Sequence, residues 1–351
     1  MASIKILENT SAPYTTNDES PLLGQLHLRF YSRRPPRNGE PGRPHLPPGG
    51  IRLHPGGHSA NVAIDLAQLG RRDTAVVGGI GEEVLGDYIE SELTSRVLQV
   101  YPERIPEAHT ARNLVLIIKG EDRRFYAELS ANTLLTPGHV LKALKETRPD
   151  ILYQGTVGGL KLIDNQIDAV LSEAKASGVV TVLDVVRPYD GGWNRLQDAF
   201  DLIDVFHCNG YEAQVLTGEK DLATACETLA RKGAGLVIIT LGPEGLVAGW
   251  SGNLLRVPVF VVDSVDPTGA GDAFCAGVID SLLDHPDLID DIRGLTVEDA
   301  KTMLFNGSAA GAACVTSTGA TSAVTRENVD DLMNEQGDRV RAGIRAGRRL
   351  I

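Results

Sequence analysis

The stretch VDSVDPTGAGDAFCAGVIDSLL, residues 262–283, sets two glycines and an alanine between a threonine and an aspartate, directly ahead of an apolar run at helical spacing. This reads as a tight turn that ends as a helix N-terminus. Gly269 and Gly271 let the backbone turn with its N–H groups facing one space, and the helix adds its positive end, so the turn is an anion cradle. It lacks the lysine of G-x-x-x-x-G-K-[ST], and its glycine spacing is not that of G-x-G-x-x-G, so it is neither a Walker A loop nor a dinucleotide fingerprint. A carboxylate here would repel an anion unless it has a task of its own. Asp272 is therefore either a base that takes the proton of a hydroxyl attacking a phosphoryl group or a helix-capping carboxylate, and the turn alone weighs the two evenly.

Working outward, strand and helix patterns alternate. Asn61 to Leu69 has helical spacing, Thr74 to Val77 reads as a buried strand, and Val84 to Leu93 is helical again. DILYQG is followed by a helix over 160–177, then VVTVLDVV, a short helix near 194–201, DVFHCN, a helix from Tyr211, another over 221–232, and GLVIITLG. Near-continuous Val, Ile and Leu runs separated by helices predict a doubly wound, mostly parallel sheet flanked by helices, with ligands at the carboxyl ends of its strands. One hairpin interrupts the alternation: NLVLIIKGEDRRFYAEL, residues 113–129, places two β-rich runs around the polar turn KGED, a lid or a plain surface hairpin over about residues 111–130. No repeat of 20 to 50 residues is present, which argues against a solenoid.

Composition narrows the function classes. A chain of 351 residues is long enough for a large core. No run approaches the ~18 apolar residues of a membrane helix, and the N-terminus has no signal-peptide pattern, so a cytoplasmic protein with no membrane partner is expected. A formal net charge of -12 disfavours broad nucleic-acid binding. Cys208, Cys226, Cys275 and Cys314 are scattered, which fits reduced, buried thiols better than a zinc or disulfide framework. Residues 1–50 are set apart by Arg, Pro and Gly without hydrophobic period and read as an atypical, irregular segment before a domain over 51–351. The arginines at 339, 341, 345, 348 and 349, interleaved with Val340, Ile344 and Leu350, read as a solvated amphipathic helix.

Two separated motifs together resemble the ribokinase-like carbohydrate kinases, the PfkB family, over roughly residues 51–325. PGGHSANVAIDLAQLG (55–70) with VVGGIGEEVLGDYI (76–89) is similar to the sugar-side glycine motif, and DPTGAGDAFCAG (266–277) to the nucleotide-side signature. The resemblance implies an ATP-dependent kinase acting on a hydroxyl of a sugar or sugar-like molecule. Asp272 would be the base, and the N–H groups of Gly269, Ala270 and Gly271 the anion hole. Gly56, Gly57, His58 and Asn61, with Asn132 from SANTLLTP (130–137), would meet the sugar. Glycines allow close backbone approach, and an amide both donates and accepts as a hydroxyl requires. Asn209 and Glu212 of CNGYEAQVLTG match N-x-x-E, implying Mg2+ and phosphates positioned through water, with oxygen ligands that suit magnesium. Thr240, Gly242 and Gly245 of TLGPEGLV match the nucleotide loop T-x-G-x-x-G, and Thr268 belongs to the same cofactor side. AAGAACVTSTGATS (309–322) is similar to the adenine-side helix and loop. In some members that loop, with the aspartate at the position of Asp266, holds a monovalent cation such as K+; here Cys314, Ser317 and Gly319 would supply carbonyls. Lids in the family can pair two subunits, so a homodimer through the lid is an expectation too.

The sequence also departs from the family. The first strand, with its glycine and sugar-binding aspartate, is not recognisable in residues 1–50. Gly155 stands where ribokinases carry an acidic residue, which disfavours ribose, and Arg187 in DVVRPYDGGW is one residue off the acid-sugar pattern, so a surface arginine is expected. Three other readings stay open: an inactive relative that binds sugar or nucleotide, a nucleoside kinase of the same family, and a Rossmann-type dehydrogenase. The last should show a glycine fingerprint after an early strand and an acidic residue about 20 positions on, which the sequence lacks.

Overall fold

The apolar runs become strands in the computed structural model, which describes residues 20–23, 27–33, 52–96, 98–117, 124–188 and 193–348. The strands are β1 (Ser20–Leu23), β2 (His27–Arg33), β3 (Arg52–Gly56), β4 (Thr74–Ile80), β5 (Gln99–Arg104), β6 (Arg112–Ile117), β7 (Arg124–Glu128), β8 (Ile151–Val157), β9 (Val180–Val185), β10 (Val205–Asn209), β11 (Leu236–Thr240), β12 (Leu246–Trp250), β13 (Asn253–Val257) and β14 (Arg345–Arg348). The helices are α1 (His58–Gln68), α2 (Val84–Thr94), α3 (Pro137–Thr147), α4 (Lys161–Asp164), α5 (Ile167–Ala176), α6 (Gly210–Thr217), α7 (Leu222–Arg231), α8 (Ala270–Leu283), α9 (Pro286–Asp290), α10 (Val297–Cys314) and α11 (Arg326–Gly343).

The described residues form a 10-stranded sheet in the order β14-β13-β12-β11-β10-β9-β8-β1-β4-β5. Pairing is parallel from β5 through β11 and antiparallel from β11 through β14. Strands β4, β8 and β9 are buried along their whole length, as strands covered on both faces must be. Helices α8 and α10 meet through small residues: a Cβ on Gly277 would lie 2.7 Å from the Asn306 carbonyl oxygen, and one on Gly307 2.8 Å from Val278 Cγ2. A second sheet of four strands, β3-β2-β6-β7, contains the expected hairpin. Its turn KGED lies outside the described residues.

Four expectations are corrected. Residues 1–50 do contribute to the fold: β1 sits between β8 and β4, and β2 joins the second sheet by parallel pairing with β6. The signal is weak because SPLL is four residues long and contains a proline, which ordinarily counts against an interior strand. The helix expected over 160–177 is two helices, because Asp164 turns its carboxylate back to accept from the Leu160 N–H and the chain restarts at Ile167. The segment near 194–201 makes two 3-10 turns. The arginine-rich end is a helix only to Gly343; residues 345–348 form the edge strand β14 on β13. Glycines at 343 and 347 weaken a helix there, and Gly343 lets the chain pass Pro258, whose Cγ would be 2.7 Å from a Cβ. The helix is also less solvated than expected. Arg341 lies over the Phe305 ring at 4.1 Å and Val340 is buried.

Candidate active site

The turn DPTGAGD delivers its backbone as the sequence requires. Gly269 is the residue before α8, with φ 88°, and a Cβ there would lie 2.5 Å from Ala320 Cβ. No side chain caps the helix; the Ala270 N–H makes a long bond, 3.4 Å, to the Pro267 carbonyl, and Gly271 follows it at the open end. Asp266 explains how the turn is held: Oδ1 accepts from the Thr268 N–H at 3.0 Å and Oδ2 from the Gly319 N–H at 3.2 Å, fully buried. The Thr268 hydroxyl is buried without a partner among the described residues.

Asp272 sits in the first turn of α8 and is 5% exposed. Its carboxylate faces α1 instead of the end of its own helix: Asn61 Nδ2 donates to Oδ2, and His58 Nδ1 lies 3.2 Å from Oδ1. The turn before α1 supplies these donors, because Gly57 at φ 100° ends β3 and starts the helix at His58. Gly56, Gly57, His58, Asn61, Gly269, Gly271 and Asp272 therefore come together. Asn132 is buried on the 3-10 turn Ser130–Leu134, which packs so closely on β4 that a Cβ on Gly79 would sit 2.5 Å from the Ala131 oxygen.

Beyond His58 the structure adds a buried polar cluster at the carboxyl ends of the central strands, and sequence reasoning missed it. Asp184 of β9 accepts from His58 Nδ1 (2.9 Å), from the Tyr153 hydroxyl (3.1 Å) and from His207 Nδ1 (2.9 Å). On its other side His207 Nε2 lies 3.2 Å from Thr240 Oγ1. Burial disfavours charge on both partners, yet each stabilises the other: His207 and the two imidazole hydrogen bonds hold the Asp184 carboxyl well below its usual range, and Asp184 raises His207. Asp65, one turn beyond Asn61 on α1, is fully buried with neither carboxylate oxygen bonded among the described residues. Burial and then the neighbouring Asp272 charge hold its carboxyl well above the usual range. The available signal for all three was a charged or ionisable group inside an apolar run near a strand end or on the Asn61 helix face.

Asn209 and Glu212 face each other at the start of α6 in a reciprocal capping box, Glu212 N–H to Asn209 Oδ1 at 2.9 Å and Asn209 N–H to Glu212 Oε2 at 2.8 Å. Burial pushes the Glu212 carboxyl up to about 7. The Glu212 carboxylate is buried and the Asn209 amide beside it is exposed, so the pair offers oxygen atoms at the surface of the cluster, which suits a hydrated Mg2+. Asn209 stands directly beside Thr240 in the β10–β11 register.

Of the nucleotide-side residues, Thr240, Gly242 and Gly245 line a cleft of about 570 Å³, whereas Asn209, Glu212 and Thr268 lie outside its lining. Thr240, Gly242 and Gly245 form one wall, Val259 to Val262 another, and Gly271, Phe274, Gly311 and Ala312 of α8 and α10 the floor. Gly245, at φ 88°, is required where a Cβ would lie 2.2 Å from the Val257 oxygen. Arg187 is exposed, 5.7 Å from the Tyr211 ring, as a surface arginine. All four cysteines are buried, and Cys314 Sγ lies 3.1 Å from the Ala320 carbonyl oxygen. No helix among the described residues is long and apolar enough to cross a membrane.

A family model described as pfkB family carbohydrate kinase matches residues 20–327. A fructokinase from Klebsiella pneumoniae is 28% identical over 264 residues, covering 68% of this chain and 81% of the relative. A ribokinase from Staphylococcus aureus is 27% identical over 256 residues, covering 69% and 82%. Among solved structures, fructokinase with bound ATP from Xylella fastidiosa superposes with a TM-score of 0.76 over 91% of this chain and 99% of that one, at 24% identity.

Proposed function

This chain belongs to the pfkB family of carbohydrate kinases, phosphotransferases with an alcohol group as acceptor, and on that premise we propose that Asp272 is its base and the turn Gly269-Ala270-Gly271 its anion hole. One observation carries the reading. A buried carboxylate, turned toward the Asn61 side, stands in the first turn of a helix whose N-terminus has no side-chain cap and opens on the apolar cleft.

ATP lies in that cleft, its adenine between Ala312 and the Val259–Val262 wall and its terminal phosphate at the start of α8. The acceptor is a sugar or sugar-like alcohol held between Gly56, Gly57, Asn61 and Asn132. Asp272 takes the proton of the attacking hydroxyl while the Ala270 and Gly271 N–H groups and the helix end meet charge on the transferring phosphoryl group. Asn209 and Glu212 would orient the water shell of a bound Mg2+, which would supply neutralisation of phosphate charge. Asp266 spends one lone pair of each oxygen on a backbone N–H group, which holds the turn in place.

The sheet β3-β2-β6-β7 is the lid over the sugar, on a single kinase unit that begins at β1. Leu53, Leu114 and Tyr126 stand in one cross-strand row on its outer side, 37%, 40% and 62% exposed, and this row pairs two copies of the chain. ADP release over a panel of ketoses, aldoses and nucleosides tests the activity. Asp272→Asn should lower kcat by about 10²–10⁴-fold with ATP affinity kept; undiminished turnover in that variant would refute the assignment.

A further inference from the structure

We propose that His58 is a positioning residue for the base: its Nδ1–H, bonded to Asp184 and 3.2 Å from Asp272 Oδ1, fixes the orientation of the Asp272 carboxylate and keeps it available to take a proton. The proposal rests on the reading of Asp272 as base.

The geometry leaves one proton to serve two acids. His58 Nδ1 is 2.9 Å from Asp184 Oδ2 and 3.2 Å from Asp272 Oδ1, and the three ligand atoms lie within 4.8 Å of one another. Both neighbours are carboxylates, so Nδ1 must carry the hydrogen. Without it the two carboxylates would confront each other as bare like charges, which favours protonation of one of them.

The first turn of α1 thereby flanks the base at both oxygens, with Asn61 donating to Oδ2 and His58 Nδ1 3.2 Å from Oδ1. Each oxygen keeps a second lone pair for the substrate hydroxyl. Asp184 is itself immobilised by Tyr153 and His207, so the imidazole cannot follow a moving partner.

The imidazole also has a built seat. A Cβ on Gly155 would lie 2.6 Å from His58 Cβ and 2.8 Å from Tyr153 Cε1, so only glycine leaves room for the ring. The register shift between Gln154 and Val157 and the positive φ of Thr156, 61° for a buried β-branched residue, show that β8 is distorted at this point. Strain of that kind persists where the surroundings over-determine it.

The titratable groups around Asp272 are His58 and Asp65 from α1, Asp184 from β9, Tyr153 from β8, Cys275 from its own helix, and His207 from β10 behind Asp184. His58 is the one that touches both acids.

The test is the pH dependence of kcat for four variants of the full chain. His58→Leu removes the donor, so the base is easier to protonate and the acidic limb should move to higher pH by about one unit. The amide nitrogen of His58→Asn occupies the Nδ1 position and should return the limb toward its original place. Asp184→Asn withdraws a competing negative charge, and the limb should move the opposite way, to lower pH. In His58→Leu the loss should fall on kcat, tenfold greater below the limb than above it, with KM for ATP unchanged.

Asp272→Asn separates the two layers. If it is inactive but the limb stays in place in His58→Leu, or moves the same way in His58→Leu and Asp184→Asn, the positioning role is overturned and the base stands. If Asp272→Asn turns over like the wild type, the underlying reading fails instead.

Discussion

Asp65→Asn should stabilise the protein by an amount that grows with pH. The carboxyl is fully buried, unbonded among the described residues, and held well above its usual range by burial and by Asp272. In the unfolded chain the same group titrates as an ordinary aspartate, near about 3.9. Between those two values the folded state keeps a proton that the unfolded state has released, so stability falls as pH rises. Each pH unit climbed inside that window costs about 1.4 kcal/mol. An amide has nearly the same shape and no titration, so the stability gap between variant and wild type should widen by about 1.4 kcal/mol per unit from about pH 5 upward, until the folded carboxyl itself ionises. Urea unfolding of both proteins at about pH 5, 6 and 7, compared at equal m, reads the gap directly. A gap that stays constant across that range would mean that Asp65 is ionised and paired, and the argument would fail.

Two further outcomes follow from other parts of the fold. Asp280 accepts from Arg71 Nε at 2.7 Å and Arg326 Nη2 at 2.8 Å, tying the ends of α1 and α8 to α11, so Asp280→Ala should cost about 2–3 kcal/mol in chemical denaturation with kcat unchanged. That is less than a fully buried pair, because the arginine side chains are 25% and 42% exposed; a loss below about 1 kcal/mol would show that the cations simply turn to solvent. Ala312→Phe should fill the floor of the apolar cleft and raise KM for ATP at least about tenfold with the folded stability kept, whereas an unchanged KM would place the nucleotide elsewhere.

What was legible in the sequence was what the backbone dictates. Gly57, Gly245 and Gly269 all take positive φ, and at Gly245 and Gly269 a Cβ would collide with neighbouring atoms, so glycine spacing located both ends of the site. The parallel strands were legible because each is a short Val, Ile and Leu run buried on both faces. The first strand was not, since SPLL owes its place to its neighbours β8 and β4 and not to its own propensity. The end of α11 was misread for the opposite reason: arginine periodicity outweighed two glycines. Asp184 and His207 were passed over because their meaning lies in a contact across adjacent strands, and no spacing within one segment encodes it.

That contact bears on which acid can act. Asp65, Asp184 and Asp272 all lie buried in or beside one cluster, and three charges of one sign could not stay there uncompensated. Each is made tolerable by a different device. Asp184 is paired with His207, and each favours the charged form of the other. Asp65 keeps its proton. Asp272 has only neutral donors in the Asn61 amide and, when His58 bears its hydrogen on Nδ1 alone, the imidazole. An acid already matched by a cation gains little from a further proton, and one that holds its proton cannot accept another. The remaining acid stands beside the uncapped helix end, where a phosphoryl group would arrive. The electrostatics of the cluster thus support the proposal of Asp272 as base on grounds independent of the glycine motif that first drew attention to it.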